Sequence, residues 1–185
     1  MAAAAQAEAV ARARVSAGVR ETMDFATFQT LSDVLFDDVA LLDEQRWEEW
    51  LDLYCDDAVI WLPAWDDEHE LTADPGNEVS LFYVSGKAEL SDRVWRWSQG
   101  DSPASVPLPR TSHLVGNIRV LEHQGDQATL SARWHNQVFR KGRTWSYAGS
   151  YRHRLRREQG RWRIAEKYIV LTNDLIDTAL DLYHV

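Results

Sequence analysis

Histidine is the residue type in this sequence with the widest range of possible chemistry. The six histidines are His69, His113, His123, His135, His153 and His184. His113, His135 and His153 fall on three predicted strands and could converge on one side of a sheet, where two histidines and a carboxylate could bind a mononuclear metal or one histidine could act as an acid or base. No pair has the spacing H-x-H or H-x-x-x-H. We therefore predict hydrogen-bonded histidines on a half-buried sheet.

Cysteine, serine and the late aspartates add no stronger candidate. Cys55 is the single cysteine, so the chain alone can form neither a disulfide nor a Rieske cluster, which needs two cysteines and two histidines. We predict a small core residue there. Ser112 and His113 are neighbours on a strand and point to opposite faces, which excludes a dyad. Asp174 and Asp177 are expected to cap a terminal turn or to accept hydrogen bonds from a partner subunit. The prediction is no catalytic, cofactor-binding or metal-binding residue.

Aromatic residues are more prominent than any catalytic motif, with nine Trp, six Tyr and five Phe. Trp47, Trp50 and Trp134 are placed to fill the core. Four tryptophans border predicted loops or helix edges: Trp61, Trp65, Trp95 and Trp97. Aromatic residues in such places are typical interface anchors, so we predict a protein–protein interface there. The lining of a pocket is the alternative.

Charge is divided unevenly along the chain, whose net charge is −9. Between Asp33 and Glu78 there are sixteen acids and one base, and between Arg110 and Lys167 thirteen bases and four acids. The bases occupy alternating strand positions, and the negative net charge repels phosphate, so we predict no nucleic-acid binding. Acidic loops facing a basic sheet, within one protomer or between subunits, explain the division. No apolar run approaches the roughly 20 residues of a membrane span.

The first 22 residues differ from the rest of the chain. They are alanine-rich and contain Arg12, Arg14 and Arg20. They lack the apolar core of a secretory signal, so we predict a flexible leader and a cytoplasmic protein. Residues 23–185 are long enough for one domain with a sizeable core.

The early part of that domain has helical periodicity. Asp24 is a candidate N-cap, with Met23 and Phe28 as a hydrophobic staple. One apolar stripe follows at steps of three or four: Phe28, Leu31, Leu35, Val39 and Leu42. Asp43 is expected to cap a second helix with the apolar face Trp47, Trp50, Leu51 and Tyr54. The sequence therefore predicts a pair of helices.

The later part alternates with the period of strands. Strands are predicted at 58–62 and 79–84, separated by a long polar loop at 65–77, and a helix at 89–97. Four further strands are predicted at 114–121, 128–139, 145–156 and 162–171, with glycine at the reversals. Helices followed by an antiparallel meander predict an α+β domain, with helices packed on one face of a curved sheet. This layout resembles the cone with a pocket of the nuclear-transport-factor-2-like superfamily.

The C-terminal tail is apolar and needs cover. Residues 171–177 are expected to form a buried strand, followed by an ordered terminus at 181–185. We expect that deletion of Asp181–Val185 weakens assembly more than it weakens the isolated fold.

Three segments together resemble the small, or beta, subunit of bacterial aromatic-ring-hydroxylating dioxygenases. They are LDEQRWEEWL at 42–51, RTSHLV at 110–115 and the terminus at 173–185. The resemblance extends from about Asp24 to Val185. The loop at 63–75 and the segment at 78–81 are similar to the benzoate, toluate and anthranilate dioxygenase branch.

The resemblance implies a non-catalytic structural subunit. In that family a large (alpha) subunit carries a Rieske [2Fe–2S] cluster and a mononuclear iron, and a reductase, in some systems with a ferredoxin, delivers electrons from NADH. The small subunits associate with the large ones and with each other in an alpha3beta3 hexamer. The implied reaction adds O2 to an aromatic substrate, such as benzoate. The alternatives from the residues alone are a dehydratase or isomerase of the same fold and a small-ligand binding protein.

Overall fold

The computed structural model describes residues 23–100 and 105–185, so the predicted leader at 1–22 lies outside the described residues. Within these two ranges there are three α-helices: α1 Phe25–Asp43, α2 Trp47–Asp52 and α3 Lys87–Gln99. The six strands are β1 Tyr54–Pro63, β2 Ser80–Ser85, β3 Arg110–Gln124, β4 Gln127–Arg140, β5 Arg143–Glu158 and β6 Arg161–Leu171. A 3-10 turn, Leu182–His184, follows near the end. Among these residues, no helix has both the length and the apolar character needed to cross a membrane.

Helix α1 begins where the sequence predicts. The Asp24 carboxylate accepts a hydrogen bond from the backbone N–H of Thr27, at 2.9 Å, which satisfies a donor at the helix start. The expectation that Asp43 caps α2 is wrong. Helix α1 continues through Asp43, and α2 starts at Trp47 after Arg46, whose side chain makes no capping hydrogen bond. The Asp43 carboxylate is used elsewhere.

The strands form one six-stranded sheet in the order β2-β1-β6-β5-β4-β3. The meander β3 to β6 is antiparallel, as predicted, whereas β1 pairs in parallel with β6. Helix α1 packs against β3 and β6, and α3 packs against β1 and β2. The helices thus cover one face, called here the inner face, and the predicted α+β class is confirmed.

Strand alternation defines the inner face. On β4 it buries Leu130, Trp134 and Val138, and on β5 it buries Tyr151 and Leu155. They share a face because successive side chains of a strand alternate between its two sides. The opposite, outer face has more exposed side chains.

The chain after β6 is ordered but is not a strand. Strand β6 ends at Leu171, and residues 172–181 are irregular. The Asn173 side chain replaces the next part of the ladder: its Oδ1 accepts from the Ala148 N–H at 3.0 Å, and its Nδ2 donates to the Ser146 carbonyl at 2.9 Å. The prediction that a strand continues through Asp177 is therefore wrong, whereas the prediction of an ordered terminus is confirmed.

At Gly149 the neighbouring strand β6 approaches the backbone closely. A Cβ at this position would lie 1.8 Å from the Val170 carbonyl oxygen and 3.0 Å from Nε1 of Trp134. We expect Gly149→Ala to lower the free energy of unfolding by about 3 kcal/mol or more, because a backbone atom cannot move aside without breaking the ladder. Urea denaturation followed by tryptophan fluorescence measures the loss.

Gly116→Ala on β3 is the matched control. A Cβ there meets nothing within 4 Å, so we expect a change within about 1 kcal/mol. Equal unfolding midpoints for the two variants would contradict the steric account of Gly149.

Candidate functional site

The inner face contains a buried ion cluster, formed by Asp38 of α1, His153 of β5 and Lys167 of β6. Their exposed fractions are 0%, 0% and 2%. Nζ of Lys167 lies 2.8 Å from Oδ2 of Asp38, and Nε2 of His153 lies 3.7 Å from the same oxygen. The other oxygen, Oδ1, accepts hydrogen bonds from Trp50 Nε1 at 2.8 Å and from the Tyr54 hydroxyl at 2.7 Å. One carboxylate therefore joins α1 to α2 and to three strands.

The register of the sheet explains why these residues meet. His153 and Lys167 are cross-strand partners of β5 and β6, so both side chains project from the same face. Asp38 lies on the buried side of α1. Nζ of Lys167 also lies 4.6 Å from the centre of the Tyr151 ring, where the ring face attracts a cation.

Burial and charge determine the protonation of this cluster. Burial alone would raise the pKa of Asp38, but the charge of Lys167 and the interaction with His153 hold it well below its usual range. Burial lowers the pKa of His153, and it raises the pKa of Tyr54, as does the nearby Asp38 carboxylate. Asp38 is thus ionised and His153 neutral at pH 7. Because all three groups are enclosed, the cluster can hold α1 on the sheet but cannot contact a substrate.

A second carboxylate–histidine pair fastens the end of α1 to β3. Nδ1 of His113 donates to Oδ1 of Asp43 at 2.6 Å, and the His113 backbone N–H donates to Oδ2 at 2.8 Å. The His113 side chain is fully buried. Burial would raise the pKa of Asp43, but the hydrogen bonds from His113 lower it. This contact joins two of the three segments that carry the family resemblance.

The structure separates the three histidines that could have converged. His113 lies opposite Asn136 and His153 opposite Leu130, which places both on the inner face, each with its own aspartate. His135 lies opposite Leu114, points to the outer face, and bonds to Ser146 at 2.6 Å. The three histidines therefore do not converge as the sequence allowed. Successive residues of a strand face opposite sides of the sheet, and His135 occupies an outward position.

The C-terminal turn is covered by the chain itself. Asp181 caps it through the Leu182 N–H and accepts from Trp97 Nε1 at 2.8 Å. Nδ2 of Asn136, which is fully buried, donates to the carbonyls of Tyr183 and His184 at 3.2 and 3.0 Å. The residue that caps the terminal turn is therefore Asp181.

The expected capping by Asp174 or Asp177 is wrong, since both are exposed in the irregular segment before the turn. Their other expected role, as acceptors for a partner subunit, stays a prediction.

The tryptophans divide between core and surface. Trp50 and Trp134 are buried, as predicted, and Trp47 is half-buried against the core. Trp97 was predicted as an interface anchor or pocket residue, but it is 2% exposed and stacks edge-on with Tyr183, with ring centres 5.1 Å apart. Trp65 and Trp95 are 43% and 57% exposed, so they remain available as interface anchors.

Burial lowers the pKa of His184 to about 4, so we expect stability to depend on pH. The unfolded residue titrates near pH 6.5. Between these values the unfolded chain binds a proton that the folded chain does not, so stability falls as pH is lowered from about 6.5 to about 4. The expected loss is on the order of 3 kcal/mol, measured by urea denaturation at several pH values.

His184→Gln provides the comparison for this titration. Nδ1 of His184 accepts from the Asp181 N–H at 2.8 Å. A glutamine can accept the same bond, as in a capping box, but does not titrate. The loss between pH 6.5 and 4 should be smaller in the variant, and an identical pH profile would exclude His184 as its source.

Cys55, Asp57 and Glu158 form a cluster that sequence reasoning missed. Nη2 of Arg156 lies 2.5 Å from Asp57 and 2.7 Å from Glu158, so an arginine already neutralises both carboxylates. Cys55 is buried, as predicted, and burial raises the pKa of its thiol to about 11. The arrangement joins β1 to β5 and is unsuited to binding a metal through Cys55, because a cysteine ligand must be a thiolate.

Comparison with known proteins agrees with this architecture. The family model "Ring hydroxylating beta subunit" matches residues 37–178. The beta subunit of benzoate 1,2-dioxygenase from Acinetobacter baylyi is 35% identical over 163 residues, which are 88% of this chain and 96% of that protein. The small subunit of 2-halobenzoate 1,2-dioxygenase from Burkholderia cepacia is 39% identical over 151 residues, 82% and 92% of the two chains.

A solved structure gives the same assignment. The crystal structure of the beta subunit of benzoate 1,2-dioxygenase from Burkholderia mallei superposes with a TM-score of 0.71 at 35% identity, covering 89% of this chain and 99% of that chain. The predicted nuclear-transport-factor-2-like fold is confirmed. The resemblance to the benzoate dioxygenase branch is also confirmed, and it favours a subunit over a stand-alone dehydratase, isomerase or binding protein. The chain belongs to the ring-hydroxylating beta subunit family, the small subunits of aromatic-ring-hydroxylating dioxygenases.

Proposed function

We propose that this small subunit stabilises a dioxygenase that acts on a benzoate-like aromatic carboxylate, and that it supplies no catalytic residue itself. The observation that carries the proposal is the filled inner face. The space that a cone-shaped fold can offer to a ligand is occupied by Asp38, His153 and Lys167, with Tyr54 and Tyr151 packed around them. The relatives named for benzoate and 2-halobenzoate support the substrate class.

The redox groups are proposed to lie in the large subunit. A Rieske cluster needs two cysteines and two histidines, and this chain has one cysteine. We place the cluster and a mononuclear iron in the partner, with electrons supplied from NADH by a reductase, through a ferredoxin where one takes part. An alpha3beta3 hexamer is the proposed stoichiometry. The cytoplasmic location stays a prediction.

Co-expression with the large subunit of the same system tests the proposal. We expect a stable complex that contains iron and that, with its reductase and NADH, converts benzoate to a cis-diol carboxylate. The chain alone should bind no iron. A large subunit that reaches the same mass and the same turnover without this chain would contradict the structural role.

Variants of the inner-face histidines separate a structural role from a catalytic one. His153→Ala and His113→Ala should lower the thermal midpoint of the chain. In assembled enzyme below that midpoint, we expect turnover per iron to stay within about twofold of the wild type. A loss of turnover per iron of about a hundredfold, the range for removal of an acid–base residue, would contradict the assignment.

A further inference from the structure

A groove between α2 and α3 is open at the surface of the molecule and has a volume of about 660 Å³. Leu51 and Val94 are buried at its base, and Trp47 and Trp95 line it as well. Within residues 23–100 and 105–185, Trp95 is the most exposed tryptophan, with 57% of its surface accessible. The groove therefore offers apolar surface to a segment that could cover it.

The groove is acidic, and two of its carboxylates lack a cation. Among the described residues that line it, the acids are Glu48, Glu49 and Asp92, and the one base is Arg46. Arg46 already pairs with Glu44 at 2.8 Å and with Glu49 at 2.5 Å. Glu48 and Asp92 are exposed and form no ion pair with any residue of 23–100 or 105–185. The groove is therefore suited to a cationic segment.

An acidic track on α1 leads towards this groove. Helix α1 contains no Lys or Arg, and Asp33 and Asp37 lie on its exposed side, one turn apart. Partial burial and the charge of Asp33 raise the pKa of Asp37, and the charge of Arg46, which lines the groove, opposes this rise. The track and the groove are therefore adjacent and carry charge of the same sign.

The leader, residues 1–22, contains a run of the opposite charge. Residues 9–20 include Arg12, Arg14 and Arg20 and no acid. Met23, which follows the leader, packs against the core just before α1. The 19 residues of α1 cover about 29 Å at 1.5 Å per residue, and the groove begins at Gln45, soon after α1 ends. Because nine to eleven extended residues reach about 30–36 Å, Arg14 and Arg12 can arrive at the groove.

We propose that the leader runs along α1 and docks in the groove between α2 and α3 of its own chain. Arg12 and Arg14 supply the cations for the two unpaired carboxylates, and the leader covers Trp95. A guanidinium group also binds favourably over an indole ring. Attachment to the same chain gives the leader a high effective concentration at the groove, which a contact made of few ion pairs needs. The inference goes beyond the proposed function and does not depend on it, because this chain alone forms the contact.

The distance between two spin labels tests the contact in the full chain. The labels are attached at Ala13→Cys in the leader and at Gln99→Cys at the end of α3. The native Cys55 is fully buried, which keeps it unlabelled. Double electron–electron resonance should give a narrow peak at short distance at about 50 mM salt, and the fraction of molecules in this peak should fall at least about threefold at about 500 mM salt, because salt screens exposed charges.

Charge reversal on either side should remove the peak. The groove variant carries Glu48→Arg and Asp92→Arg, and the leader variant carries Arg12→Glu and Arg14→Glu. Each should lower the docked fraction at least about threefold, because attraction between exposed charges is replaced by repulsion. A chain with all four changes should recover the peak, since the two sides have then exchanged their charges.

The control carries Asp66→Arg and Glu68→Arg, the same charge change in the exposed loop between β1 and β2, and should keep the wild-type distances. A broad distance distribution in the wild type, a peak that the charge reversals leave unchanged, or a four-change chain without the peak would each overturn the proposal. Dilution of the labelled chain with a large excess of unlabelled chain should not alter the peak. Its loss on dilution would place the leader of a second copy in the groove and would also overturn the proposal.

Discussion

Deletion of Asp181–Val185 is expected to unfold the isolated chain. Leu182, Tyr183, His184 and Val185 are between 0% and 4% exposed. At about 1.5–3 kcal/mol for each large apolar side chain, their loss exceeds about 5 kcal/mol, which is comparable with the whole stability of a domain. The deletion also leaves the Asn136 amide and the Trp97 indole N–H without their acceptors. Circular dichroism of the purified chain should show no cooperative thermal transition.

This expectation reverses the one made from sequence, in which the tail served assembly more than the fold. Leu175→Ser is the control, because Leu175 belongs to the same tail but is 75% exposed. The thermal unfolding midpoint of this variant should match that of the wild type. If the truncated chain unfolded at the wild-type temperature and failed only to bind the large subunit, the assembly role would be restored.

Asp38→Leu is expected to cost about 3–5 kcal/mol, because it leaves the buried ammonium of Lys167 without a counter-ion. The Trp50 and Tyr54 donors also lose their acceptor. Urea denaturation at pH 7 measures the change. Since the folded pKa of Asp38 lies below its unfolded value, its contribution is present above about pH 4 and disappears as pH falls below that value. The Asp38→Leu variant should therefore lose less stability than the wild type as the pH falls below about 4.

The double variant Asp38→Leu with Lys167→Met tests the cause. It removes both charges and fills the space with apolar atoms, so we expect it to regain at least about 2 kcal/mol relative to Asp38→Leu. Lys167→Met alone should also be destabilised, because it buries an unpaired carboxylate. A double variant no more stable than Asp38→Leu would show that shape, not charge, dominates at this site.

Local sequence patterns predicted the elements better than the contacts between them. The period-two alternation predicted for the later part of the chain holds on β4 and β5, whose pairing with each other is regular. The contact of Asp43 with His113 was missed, because its partner lies 70 residues away and Asp43 has the local features of a helix cap. Cap preferences describe neighbours in sequence and contain no information about distant strands.

The buried ion cluster had a partial signal. Leu31, Leu35, Asp38 and Leu42 follow helical spacing, so a charged residue on the buried stripe was visible in the sequence. Lys167 was hidden by an irregularity in the pairing of β5 with β6, between Arg154 and Leu155. Inner-face positions on β6 therefore run 164, 167, 169 and 171, and simple alternation fails at the lysine.

The parallel pairing of β1 with β6 has a kinetic consequence. Strands β3 to β6 can form as successive hairpins, each between neighbours in sequence, whereas β1 pairs residues such as Tyr54 with Ile164, more than a hundred positions away. Closing such a long chain segment is slow, because its entropy cost precedes the gain from contacts. We expect the hairpins to form first and the pairing of β1 with β6 to limit the folding rate.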